Sequence, residues 1–131
     1  MFSKKKKEIS EKYVKSGAAK IKNDDLELAA DSQQEISNKI TNSGTLRKYA
    51  ELAKIMFGML KDYRKGAYTN VPWFTIASIG FSLLYVLNPM DIMPDFIPGI
   101  GYVDDFAIMT IAMRFIESDL HHYLDWKLEE A

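Results

Sequence analysis

Four aspartates are the residues in this chain whose type and spacing could do chemistry. Asp91, Asp95, Asp104 and Asp105 fall within eighteen residues, N-P-M-D-I-M-P-D-F-I-P-G-I-G-Y-V-D-D, Asn88 to Asp105. Carboxylates and loop carbonyls are what Mg²⁺ or Ca²⁺ prefer, so these four are candidate metal ligands. The spacing is not that of an EF-hand loop, and Gly99 and Gly101 do not form a phosphate loop. Capping is the favoured reading: Asp91 and Asp95 accept backbone N–H bonds in proline-led turns, and Asp104 caps the following helix with Asp105 behind it. A hydrolytic metal site would also want a water-activating base, and none is evident. No catalytic residue and no cofactor is assigned.

The rest of the composition narrows the chemistry further. The chain has no cysteine, which removes thiolate catalysis, disulfides and iron–sulfur ligation. Its two histidines, His121 and His122, are adjacent on a helix and so point apart. A formal net charge of −1 argues against nucleic acid as a partner. That charge is nonetheless laid out in blocks. Residues 1–22 carry eight Lys and two Glu, 23–42 one Lys against five acids, and 45–68 six bases against two acids. From Gly66 to Met90 there is no charge of either sign.

These residues must be positioned by helices, because no strand-type alternation persists anywhere and apolar residues recur at 3–4 spacing. The expected fold is all-α: a small helical bundle with a central apolar helix and an ordered Pro/Gly/Asp-rich connection to an antiparallel partner helix. Residues 1–22 read as a basic N-terminal arm, separable from the fold. Ile9, Tyr13, Gly17 and Ile21 recur at four-residue spacing, a stripe too thin for a strong interfacial helix. A solvated arm is therefore favoured over a basic surface helix attracted to anionic lipid. Residues 23–44 read as one peripheral amphipathic helix, started by Asn23-Asp24-Asp25 and stopped by Gly44 in the left-handed conformation. Residues 45–131 form the helical core domain. In it, Leu46 to Tyr63 and Phe106 to Tyr123 are striped helices around Pro72–Leu87, which is apolar on every face. Sixteen residues at 1.5 Å each give about 24 Å, short of the ~30 Å of bilayer hydrocarbon. The connection from Asn88 to Asp105 holds three of the four prolines but is too apolar for a solvated loop.

Leu83 to Asp105 resembles the YkvA-like bacterial domain of unknown function, whose hallmark is Y-x-x-x-P-x-D-x-x-P-D-x-x-P-x-x-G-x-x-D-D. Tyr85, Pro89, Asp91, Pro94, Asp95, Pro98, Gly101, Asp104 and Asp105 match it position for position. The resemblance covers about residues 76–116. It implies membrane association through an apolar hairpin and brings no activity, cofactor or substrate.

The expected function is therefore a membrane-associated, non-enzymatic helical protein on the cytoplasmic side. The alternatives are a soluble cytoplasmic interaction module and a divalent-metal-binding protein or enzyme built on the aspartates. The lysine-rich start lacks the apolar stretch of a secretory signal, which argues against secretion. The expected partner is an anionic membrane surface or another protein, a second copy of the chain included. Trp73 is a candidate interfacial anchor or a core aromatic.

Overall fold

The computed structural model describes residues 4–88 and 105–130, with side chains for 8–88 and 107–130. The described residues contain six α-helices: α1 (Lys4–Ala19), α2 (Asn23–Asp31), α3 (Gln33–Thr41), α4 (Ala50–Lys65), α5 (Trp73–Leu87) and α6 (Asp105–Glu130). A single 3₁₀ turn, Arg47–Tyr49, leads into α4, and no strand occurs among the described residues. The protein is all-α.

The uncharged helix organises everything else. Every residue of α5 from Thr75 to Val86 is buried, and α5 touches each of the other five helices. A helix covered on all sides has no face on which a charge could be solvated, which accounts for its composition. Among the described residues no helix is long and apolar enough to cross a membrane. Pro72 precedes the helix with φ −63° and ψ 145°, and its carbonyl accepts from the Thr75 N–H. Proline is suited to this place because the first helical turn needs no donor from it.

The covering helices use the apolar faces their periodicity announces. From α4 come Ala53, Met56, Phe57, Met59 and Leu60; from α6 come Met109, Ile116, Leu120 and Tyr123. A Schellman motif closes α4. Gly66 sits at φ +80°, its N–H donating to the Tyr63 carbonyl and that of Ala67 to the Asp62 carbonyl. Gly66 is the only described glycine with positive φ, so Gly44 does not form the left-handed stop expected of it. The turn there is held instead by Ser43, whose Oγ accepts the Leu46 N–H at 3.1 Å.

Two N-terminal expectations differ from what is observed. Residues 4–19 are not a solvated arm but a helix whose Tyr13, Val14 and Ala18 are buried, packed on α5 and α6. The reason lies at Gly17, where a Cβ would stand 2.0 Å from the Phe81 ring. The missing side chain lets α1 approach α5, with Tyr13 packed against Phe81 and edge-on to Tyr85 at 5.7–5.8 Å between centroids. Residues 23–44 likewise form two helices, broken at Ser32 (φ −97°, ψ 16°), rather than one peripheral helix. The break lets both segments reach α5, burying Leu26 and Ala29 from α2 and Ile36 and Ile40 from α3. At the start of α2 the Lys22 N–H donates to the Asp25 carboxylate at 2.9 Å, one residue earlier than an Asn23 cap would place it.

Candidate functional site

Asp91, Asp95 and Asp104 lie outside the described residues. Asp105 is the first residue of α6, and its side chain also lies outside them. Among the described residues no group of three His, Cys, Asp or Glu side chains could hold a metal ion. His121 and His122 are both exposed on α6.

The connection begins at the C-terminal end of α5, beside a cleft of about 610 Å³. Leu84 and Leu87 from α5 and Ile21 after α1 give it an apolar floor, and Lys20, Asp25 and Glu35 stand around it. Leu28, half exposed on α2, forms another wall. The Lys39 ammonium donates to the Leu87 carbonyl at 2.5 Å, placing a cation on the negative end of α5.

A second constellation joins α4 to α6 and was not anticipated from the sequence. Among the described residues Asp62 is the one buried acidic side chain, 8% exposed. Tyr123 donates its hydroxyl to Asp62 Oδ2 at 2.6 Å, and Lys127 donates to the same oxygen at 3.1 Å. Burial alone would raise the Asp62 pKa. The hydrogen bonds from Tyr123 and Lys127, with the charges of Lys127 and Lys65, outweigh that and hold it below its ordinary value. The Tyr123 hydroxyl is pushed the other way, by burial first and then by the Asp62 carboxylate it faces. Tyr68, buried against Tyr123 and Trp126 at 5.2 and 5.0 Å, also has a raised pKa, from burial first and the Asp119 charge second. Chemically this is a clamp: one carboxylate satisfied by two donors, tying the end of α4 and the loop behind it to α6. The only local signal for it is an acid following Met59 and Leu60 on an apolar face, which does not reveal a partner 61 residues away.

The loop between α4 and α5 supplies the third feature. Gly66, Ala67, Thr69, Asn70, Pro72, Trp73 and Phe74 are exposed, and no residue from 66 to 74 is charged. Trp73 and Phe74 remain 42% and 40% exposed although Trp73 leans on Tyr63 and Phe74 on Phe115. Trp73 is thus neither a core aromatic nor a fully free one.

Comparison with known proteins gives two matches. The family model "Protein of unknown function (DUF1232)" matches residues 75–111, that is, most of α5, the aspartate-bearing connection and the first residues of α6. The chain is also 36% identical over 73 residues to the "Uncharacterized membrane protein YkvA" of Bacillus subtilis (strain 168). That alignment takes in 56% of this chain and 69% of the relative. No solved structure matches the chain.

Proposed function

This chain belongs to the YkvA-like family of proteins of unknown function, and from that premise we propose that it is a non-enzymatic helical protein attached peripherally to an anionic membrane surface, on the cytoplasmic side. The observation that carries the reading is the burial of α5. The relative is named a membrane protein, yet here the apolar helix is enclosed by five others from Thr75 to Val86. Its apolar surface is spent on the core, so attachment falls to the outer surface. That surface is rich in cations: Lys12, Lys15, Lys20 and Lys22 are exposed around α1, and Lys54, Lys61, Arg64 and Lys65 on α4. Each lysine near an anionic leaflet contributes about 1 kcal/mol, decaying over a Debye length of about 10 Å at 0.1 M salt. Net charge is no obstacle, because attraction depends on the side presented.

Sedimentation with vesicles tests this reading. The full chain should pellet with phosphatidylglycerol-containing vesicles at low salt, be released at high salt, and ignore pure phosphatidylcholine. Equal binding to both lipids without salt dependence would contradict peripheral electrostatic attachment, as would no binding at all.

A second reading, a helical interaction module, is favoured by one observation. Leu124 and Leu128 stand one turn apart on α6, 37% and 76% exposed, and present an apolar strip outside the core. A self-associating or partner-bound protein would cover them. Sedimentation equilibrium of the wild type against Leu128→Glu tests it, with a monomer in both cases opposing self-association.

A further inference from the structure

We propose that the chain meets the bilayer with the edge formed by the end of α4 and the loop into α5, with Trp73 and Phe74 entering the headgroup region of an anionic leaflet. This rests on the peripheral-membrane reading and assigns its contact surface.

Three observations meet at this edge. The first is composition: residues 66–74 carry no charge, so none of them resists entry into the interface. The second is exposure. Two consecutive aromatics open α5, Trp73 toward α4 and Phe74 toward α6, and each stays about two-fifths exposed. Tryptophan is enriched at membrane–water interfaces because its ring is apolar while its N–H still finds a polar partner. The third is charge complementarity. Lys61, Arg64 and Lys65 are exposed on the last turns of α4, directly before the loop. Arg64 is held only loosely, with Glu27 at 4.0 Å. Lys15 lies 5.7 Å over the Phe115 ring that Phe74 packs against, adding a cation on the other flank.

The edge is also preorganised. The Schellman motif at Gly66 directs the chain out of α4, and buried Tyr68 anchors the loop between Tyr123 and Trp126. The Val71 N–H donates to the Thr69 carbonyl at 2.9 Å. An ordered loop enters the interface without the ordering cost that a flexible one meets. Asp62, the nearest acid in sequence, is buried and engaged by Tyr123 and Lys127. On the α6 side the acids are Asp119, which accepts from the Thr75 hydroxyl, and Asp125 and Glu129, which border the loop together with His122. The contact therefore tilts toward α4, where the cations are.

The chain has two tryptophans, so Trp126→Phe leaves Trp73 as the single reporter. On addition of phosphatidylglycerol-containing vesicles, Trp73 emission should shift to the blue and be quenched by chain-brominated lipid. Pure phosphatidylcholine should change neither. In the full chain, Trp73→Ser with Phe74→Ser should weaken vesicle binding about tenfold, given two rings that are each partly exposed. Arg64→Ala and Lys65→Ala should each cost about fivefold at low salt. The fluorescence arm keeps Trp73 in place, so it does not depend on the serine variant folding. If the wild type binds anionic vesicles while Trp73 emission is unmoved, the surface assignment is wrong and membrane attachment stands. If the wild type binds none, both fall together.

Discussion

The clamp at Asp62 makes a quantitative prediction. Asp62→Ala removes the acceptor of a 2.6 Å hydrogen bond and strands the Tyr123 hydroxyl, which belongs to a residue only 3% exposed. Hydrogen bonds to charged groups contribute about 1.5–3 kcal/mol net, and a buried donor left without a partner costs about 1–3 kcal/mol. These overlap rather than add, so a loss of about 3 kcal/mol is expected, or roughly 10 °C in Tm for a chain of this size. Tyr123→Phe removes the donor but leaves Asp62 its bond to Lys127, and should cost about 1.5 kcal/mol. Lys127 is more than half exposed, so its ion pair is largely screened and Lys127→Ala should cost no more than about 0.5 kcal/mol. The Asp62→Ala/Tyr123→Phe double variant should then lose about 3 kcal/mol rather than 4.5, a coupling of about 1.5 kcal/mol. Urea unfolding followed by circular dichroism at neutral pH measures all four. The pH dependence has a definite sign. The Asp62 carboxyl is held below its ordinary 3.8, so its contribution is complete above that value and drains away as pH falls below it toward the folded pKa. The gap between wild type and Asp62→Asn should therefore narrow only below about pH 4. Additive single variants, or a Lys127→Ala loss exceeding that of Tyr123→Phe, would refute the clamp.

The packing of α1 gives two further outcomes, with Gly44 as the contrast. Deleting residues 1–22 removes buried Tyr13, Val14 and Ala18 from the core and should abolish cooperative unfolding, whereas a dispensable arm would leave the thermal melt unchanged. Gly17→Ala should destabilise by about 2 kcal/mol or more, because its Cβ would meet the Phe81 ring at 2.0 Å; Gly44→Ala, with nothing within 4 Å and no positive φ, should be within about 0.5 kcal/mol of wild type in the same urea titration.

By itself the sequence determined the helical class, the existence and limits of α5, and the apolar faces of α4 and α6. It also carries the Tyr85-to-Asp105 run, which lies within the residues the family model matches. These are readable because periodicity and the absence of charge are local properties, written into neighbouring residues. Only the tertiary structure decided what covers α5. The stripe Ile9, Tyr13, Gly17, Ile21 reads as thin because a glycine contributes no hydrophobicity, yet the Phe81 ring of α5 occupies the space that a side chain at Gly17 would need. Ser32 reads as an ordinary polar residue until two faces must reach the same helix. Asp62 reads as one more acid on a basic helix, and Trp73 as a core aromatic or an anchor with equal ease. Their roles follow from Tyr123 arriving across 61 residues of chain, and from α5 beginning where the core ends. A side chain's type states what it can bond or bury, whereas its partner is set by the packing of helices distant in sequence, for which no local pattern exists.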